Sequence, residues 1–224
     1  STDRHEKACR VALASVAGIG PATISACVDE GGAAAAWQAL VAGRGATSDA
    51  LVEAAGRRRR RDPDALARFH REAALLDPDA VLARHEAAGQ CILSPGDPAY
   101  PARLLEDEVP PPVLFAVGSL SHLDGPTVAI VGTRNATQLG RATAASLAAE
   151  LADRGVSVVS GLALGIDAAA HEAIACRPGG GVPIGVIATG LERAYPRRHQ
   201  RLHRHIAAVG LLISESPIGS EPSR

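Results

Sequence analysis

Three short segments of the sequence combine small residues with basic ones, a combination that suits the binding of an anion. The first contains Gly132, Thr133 and Arg134 and leads into a helical stretch over residues 141–154. Glycine lets backbone N–H groups approach a phosphate closely, and the first turn of a helix has N–H groups without intrahelical partners. Arginine adds a charge and paired donors. The segment therefore predicts an anion-binding loop, although its glycine spacing is not that of a dinucleotide fingerprint.

The second segment begins at Ser160 and contains Gly161 and Gly165, which permit a tight loop with its amides turned toward a phosphate. Asp167 is placed to cap the following helix. Ser160, Asp167 and His171 are also the residue types of a hydrolytic triad. Because Asp167 and His171 lie one turn apart on one helix and the serine lacks a nucleophile-elbow sequence, we reject the triad and interpret His171 as a structural histidine.

The third segment starts at Gly190 and passes through a Tyr-Pro pair into the most basic stretch of the chain. Arg197 and Arg198 directly follow that pair and suit phosphate contacts. Arg201 and Arg204 are explained equally well by a solvated helix face. We therefore predict an anion between the first two segments, with Arg197 and Arg198 as further phosphate ligands.

Each segment follows a short β-branched run, and such runs alternate with helical stretches. This alternation predicts βαβ units and a Rossmann-like, mostly parallel sheet. Ligands of such sheets bind beyond the carboxyl ends of the strands, which is where all three segments fall. The predicted strands are residues 113–117, 128–131, 156–159, 184–187 and 211–213.

The first 90 residues are predicted to form a small all-α domain, with residues 91–224 forming the α/β domain. Two helical stretches flank the turn of residues 18–21, a Gly-Ile-Gly-Pro sequence typical of a helix-hairpin-helix unit. We favour a structural turn slightly over a DNA-binding one. Further helices are expected over residues 31–40, 63–76 and 78–88. The arginine run over residues 57–61 is interpreted as a solvated connector.

Composition limits the function classes. The chain has 224 residues, of which 46% are hydrophobic and 21% charged, so it can bury a core and is not wholly disordered. No apolar run approaches the roughly 20 residues that cross a bilayer, and no secretory signal is present, so we expect no membrane partner and a cytoplasmic location. The four cysteines show no C-x-x-C spacing, and we expect neither a metal nor a cofactor. The net charge of −1 decides nothing about nucleic acid.

Read in order, these motifs resemble the DNA-processing protein A (DprA, or Smf) family. The family pattern consists of a G-[ST]-R loop, then S-G-x-A-x-G-I-D-x-x-A-H, then a glycine element ending in Y-P, and a late S-E. The residues that match are Gly132-Thr133-Arg134, the stretch from Ser160 to His171, Thr189-Gly190-Leu191 through Tyr195-Pro196, and Ser214-Glu215. The helical part resembles the sterile-alpha-motif-like domain of the family.

The resemblance implies sequence-independent binding and protection of single-stranded DNA, and loading of the RecA recombinase onto it in natural transformation, without catalysis. It implies that Arg134 holds a phosphate and that Arg197 fills the basic position after Tyr-Pro. Leu164 stands where the family often has arginine. Because the family domain normally continues past the S-E strand, we expect the sequence to be a piece of a longer protein, which leaves a homodimer and the RecA contact open.

Two other classes of function are considered. Residues 178–181, Pro-Gly-Gly-Gly, superficially resemble the loop of lysine-decarboxylase-like phosphoribohydrolases, a class of nucleotide-binding enzyme, but the threonine and glutamate of that motif do not follow. The second class is a protein-interaction module that works through the N-terminal helices. Binding of a nucleoside monophosphate but not of an oligonucleotide favours the enzyme, and binding of neither favours the module.

Overall fold

A computed structural model describes residues 2–43, 49–58, 62–177 and 179–222. The chain divides into two compact units, residues 1–114 and 115–224. The helices are α1 (Thr2–Ser15), α2 (Pro21–Gly31), α3 (Ala33–Ala42), α4 (Asp49–Arg58), α5 (Ala65–Ala73), α6 (Pro78–Ala87), α7 (Gln138–Asp153), α8 (Ile166–Ala175) and α9 (Gln200–Val209). The strands are β1 (Cys91–Leu93), β2 (Leu114–Gly118), β3 (Thr127–Ala129), β4 (Ser157–Ser160), β5 (Pro183–Val186) and β6 (Leu211–Ser214). Short 3₁₀ helices span Ala102–Glu106, Leu120–Leu123 and Arg197–His199.

The first unit is a helical bundle built on one apolar core. In α1, Cys9, Leu13 and Val16 are buried at helical spacing and join Trp37 and Phe69 from later helices. Burial of this apolar face stabilises helices that would be marginal alone. Helix α4 was absent from our sequence-based prediction, and it contains the first two arginines of the basic run. The remaining three, residues 59–61, lie outside the described residues.

The turn between α1 and α2 is held by side chains from α5 and its approach. Glu72 accepts a hydrogen bond from the Ala17 N–H at 2.8 Å, and Arg68 donates to the Ala17 carbonyl. Arg68 is itself held by Asp62 at 2.8 Å and by Glu72 at 3.0 Å. A carboxylate beside the turn repels a phosphate. These contacts favour the structural interpretation of the helix-hairpin-helix turn.

In the second unit, the strands are hydrogen-bonded in the order β2-β6-β5-β4-β3. Strands β3, β4, β5 and β6 run parallel, while β2 is antiparallel to β6. The register pairs Val128 with Val158 and Val159 with Ile184. The α/β class with a Rossmann-like, mostly parallel sheet and a helical part before it is confirmed. The strand segments following residues 129, 160 and 186 consequently leave the same edge of the sheet.

Helices α7, α8 and α9 connect the parallel strands, with α7 packed on α8 and α8 on α9. Small residues make this packing close: Ala144, Ala148 and Ala152 are buried in α7 beside Val158 and Ile174. The five predicted strands are present to within two residues at each end, whereas the short strand β1 was not predicted. The domain boundary that we placed between residues 90 and 91 stays a prediction, since the compact units divide after Leu114. No helix in the described ranges is both long and apolar enough to cross a bilayer.

His171 on α8 is completely buried in the second unit. Neither ring nitrogen makes a hydrogen bond of normal geometry, although the backbone of Val158 and Ile184 lies close enough to favour the charged ring. Burial outweighs these backbone groups and the nearby Asp167 charge, and it lowers the pKa of His171 from 6.5 to about 4. The ring is therefore neutral in the native core.

We predict that the second unit loses stability in mild acid. In the unfolded chain His171 takes up its proton near pH 6.5, whereas in the fold it does so only near its lowered pKa of about 4. Its contribution is therefore intact above pH 6.5 and falls as the pH drops toward 4. At about pH 5 the loss is about 2 kcal/mol. Native-state hydrogen exchange of the β4 and β5 amides near neutral pH and near pH 5 measures it.

A His171→Gln variant is the matched control, because its side chain is polar but does not titrate. Its opening free energy is expected to depend less on pH over the same interval. Equal pH dependence in the variant and the parent would show that other groups cause the acid sensitivity.

Candidate functional site

A cavity of about 610 Å³ opens at the carboxyl edge of β3, β4 and β5. Each of the three strand-end segments contributes to its wall, as parallel neighbouring strands require. The volume is within the usual range of small-ligand sites. The lining residues are Arg134 from the first segment; Gly161, Ala163 and Leu164 from the second; Ile187, Ala188, Thr189, Tyr195 and Pro196 from the third; and Glu221 and Pro222 from the end of the described chain.

Asp167 joins the first two segments. Its carboxylate accepts hydrogen bonds from the Gly132 N–H at 3.3 Å and from the Gly161 N–H at 3.0 Å. Asp167 is buried, and the residue that precedes α8 as its cap is Gly165. Our expectations that Asp167 caps the helix and that these two glycine amides are turned to a phosphate are wrong, because the carboxylate of the protein itself occupies both amides.

The second segment approaches the first at Gly165. Its φ is +84°, and a Cβ built there would lie 2.2 Å from the Thr133 carbonyl oxygen, so the position requires glycine. Thr133 in addition accepts a hydrogen bond from the Ile166 N–H at 3.3 Å, and its hydroxyl accepts one from Asn135. Gly132, Thr133 and Gly165 therefore shape the contact between the loops and do not line the cavity.

Leu162 fixes the course of the second segment below the cavity. Its φ of +54° is unusual for a branched residue, and its side chain is buried. Gly185 on β5 leaves the room, since a Cβ there would lie 2.5 Å from a methyl carbon of Leu162. The Leu162 carbonyl accepts a hydrogen bond from the His199 ring at 2.9 Å. The second and third segments are thus tied together as well.

Cationic and N–H donors remain available at the cavity. Arg134 is exposed and makes no ion pair within the described ranges. The N–H groups of residues 163–165 donate to no described acceptor, and Ala163 and Leu164 line the same wall as Arg134. An arginine beside unpaired amides is an arrangement that binds oxyanions.

The third segment supplies an aromatic ring and an exposed basic turn. Tyr195 and Pro196 line the cavity, and the peptide bond between them is cis. Arg197 and Arg198 follow in the 3₁₀ helix, exposed and without ion pairs in the described ranges, but they do not line the cavity itself. Gly190 is buried, with its N–H bonded to the Ser220 carbonyl at 3.3 Å.

The side chains of the rejected triad have separate structural partners. Ser160 is buried and donates to the Ile130 carbonyl at 2.6 Å, Asp167 holds the two glycine amides, and His171 lies in the core. Ser160 is therefore a support for the loop and has no path to a ligand. Among the described residues, no group of three or more His, Cys, Asp or Glu side chains could hold a metal ion.

The glycine-rich loop lies at the other edge of the sheet. The Gly181 N–H donates to the Ala152 carbonyl at 2.8 Å, and a Cβ on Gly180 or Gly181 would collide with the carbonyl oxygens of Ala152 or Val156. Pro178 lies outside the described residues. These glycines pass the end of α7 at the amino end of β5, away from the cavity, which weakens the phosphoribohydrolase interpretation.

Several lining residues were missed by the sequence reasoning. Ile187, Ala188 and Thr189 directly follow β5, so the rule that ligands lie beyond strand carboxyl ends could have identified them. Tyr195 was used only as part of a motif. Glu221 and Pro222 carry no local signal, because their place at the cavity depends on how the chain returns after β6.

Comparison with known proteins identifies relatives for the α/β part. A family model described as DNA recombination-mediator protein A matches residues 91–224. Protein Smf of Synechocystis sp. (strain ATCC 27184 / PCC 6803 / Kazusa) is 42% identical over 153 residues, which are 66% of this chain and 38% of that protein. The DNA processing protein DprA of Bacillus subtilis (strain 168) is 38% identical over 145 residues, 64% of this chain and 48% of that protein. The chain thus spans less than half the length of these two relatives.

Two solved structures are similar to this chain. The X-ray structure of DNA processing protein A from Streptococcus pneumoniae aligns with a TM-score of 0.67 and 29% identity, covering 96% of this chain and 68% of that one. A structure of DNA processing protein A from Helicobacter pylori, which concerns its single-stranded DNA binding mode, aligns with a TM-score of 0.51 and 34% identity. It covers 60% of this chain and 59% of that one.

We predict that Asp167→Asn destabilises the second unit by about 1–3 kcal/mol. The substitution replaces a carboxylate that accepts two amide hydrogen bonds by a carboxamide with one accepting oxygen, so that one buried N–H loses its acceptor. Urea unfolding followed by far-ultraviolet circular dichroism measures the change. The fluorescence of Trp37, the single tryptophan, reports the first unit and is expected to stay unchanged.

Asp124→Asn is the control, because Asp124 is exposed in the same unit. A surface substitution of this kind changes stability by less than about 0.5 kcal/mol. If the two variants unfold alike, Asp167 does not hold the loops together.

Proposed function

This chain belongs to the DNA recombination-mediator protein A family, and on that premise we propose that it binds single-stranded DNA without regard to sequence. The observation that carries the proposal is the unpaired Arg134 beside the unpaired amides of residues 163–165 at one cavity wall. These groups are suited to the phosphates of a strand, which are the part of DNA that every sequence shares.

The proposed phosphate contacts differ from those expected from the sequence. Arg134 and the amides of residues 163–165 make the contacts inside the cavity, and Arg197 and Arg198 receive the strand where it leaves. Asp167, Ser160, Gly132 and the other loop glycines position these donors from behind. A buried carboxylate in direct contact with a phosphate would be repelled by it, so Asp167 acts only through the two loops.

The role in the cell is proposed at the level of the whole protein. DNA processing is the activity named for the relatives in Synechocystis and Bacillus subtilis only through their family, and single-stranded DNA is named for the Helicobacter pylori protein. We propose that this chain protects incoming single-stranded DNA and delivers it to the RecA recombinase in transformation and recombination. Delivery requires no reaction of the DNA, and we propose a binding protein without catalysis.

We predict that Arg134→Ala weakens binding of labelled poly-dT by roughly tenfold, the loss expected for one charge-assisted hydrogen-bond donor. Because one phosphate contact is removed, the dependence of log affinity on log salt is expected to become shallower by about 0.7. Titrations at several salt concentrations measure both quantities, and Arg197→Ala is expected to act in the same direction.

Arg154→Ala is the matched control. Arg154 is an exposed arginine of the same unit that pairs with Glu150 at the far end of α7, so its loss is expected to change neither affinity nor salt slope. An equal effect of both substitutions would indicate diffuse attraction to net charge and contradict the cavity assignment. Salt-independent binding, or binding of a nucleoside monophosphate as tight as that of poly-dT, would contradict the proposed function itself.

A further inference from the structure

We propose that the cavity takes a nucleobase as well as phosphate, with the ring of Tyr195 as a stacking platform for one base of the bound strand. The inference rests on the proposed function and specifies which part of the DNA the apolar half of the same cavity contacts. It assigns to Tyr195 a contact that phosphate binding does not require.

Tyr195 is the one exposed aromatic side chain of the protein. The structure describes all five aromatic residues, and the other four, Trp37, Phe69, Tyr100 and Phe115, are at most 6% exposed in their cores. Tyr195 is 50% exposed and lines the cavity. Its hydroxyl has no hydrogen-bond partner in the described ranges, so no polar contact within the fold accounts for the position of the ring.

The wall near this ring is apolar. Leu164, Ile187, Ala188 and Pro196 line the cavity together with Tyr195. A phosphate gains nothing from such a surface, whereas the face of a base is apolar and stacks on aromatic rings whatever the base. The apolar wall therefore needs a ligand with a flat, weakly hydrated part.

The order of the strands separates the two kinds of contact. Arg134 follows β3 and Tyr195 belongs to the segment after β5, with β4 between them. Two strand spacings set these segments about 10 Å apart where they leave the sheet. Residues 163–165 after β4 lie between them. One nucleotide can thus place its phosphate at Arg134 and the amides while its base reaches Tyr195.

The charge of the rim is compatible with this arrangement. Glu221, the one acidic residue of the lining, pairs with Arg193 at 3.2 Å. The pair leaves Arg134 as the uncompensated charge of the wall, enough to orient one phosphate. Most of the remaining surface is available to the base.

The test compares oligo-dT with an abasic strand of the same length, which keeps every phosphate and lacks every base. The parent protein is expected to bind oligo-dT roughly tenfold more tightly than the abasic strand, the size of effect known for one base stacked on an aromatic ring. Tyr195→Ala is expected to lose this preference while its affinity for the abasic strand and its salt slope stay unchanged. Tyr195→Phe, which keeps the ring, is expected to behave as the parent.

The outcomes separate the two proposals. Equal binding of oligo-dT and the abasic strand by the parent overturns the stacking inference and leaves phosphate binding intact. A Tyr195→Ala variant that keeps its preference for oligo-dT also overturns it. Failure of the parent to bind either strand overturns the proposed function, and competition by free dTMP at concentrations similar to those of oligo-dT would identify a mononucleotide site instead.

Discussion

The buried carboxylate of Asp167 accepts hydrogen bonds from Gly132 in the loop after β3 and from Gly161 in the loop after β4. These two amides would otherwise be unpaired in a partly buried place, which is costly. With both satisfied internally, the loops are fixed to each other before any ligand arrives. Arg134 and the amides of residues 163–165 are then presented on the outer side of this junction, so the binding surface depends on a contact that does not itself bind.

A second set of constraints keeps the loop after β4 in shape. Leu162 adopts a positive φ with its side chain buried, Gly185 provides the space, and His199 holds the Leu162 carbonyl. Gly165 passes within contact of Thr133. Donors held in advance lose little freedom when a ligand binds, which is how a small cavity with a single uncompensated arginine can bind a polyanion usefully.

The sequence predicts the strands well because β-branched runs such as residues 156–159 alternate with alanine-rich helices, and the order of neighbouring parallel strands follows from that alternation. It identifies Arg134 for the same reason, since the residue after a strand end is placed by the sheet. The partner of Asp167 could not be predicted: a carboxylate at a helix start caps its own helix in most sequences, and only the approach of Gly132 across the sheet edge provides another partner. The apolar wall around Tyr195 was likewise hidden, because it joins residues from three loops.

The central claim is that a single strand of DNA binds at the carboxyl edge of β3, β4 and β5, and hydrogen exchange with and without poly-dT tests it most directly. The unpaired amides of residues 163–165 are expected to exchange fast in the free protein and to be protected in the complex, together with the amides of residues 195–198. The turn after α1, where Glu72 already holds Ala17, is expected to show no change. Protection confined to that turn and the helices of the first unit, with residues 163–165 unaffected, would contradict the account.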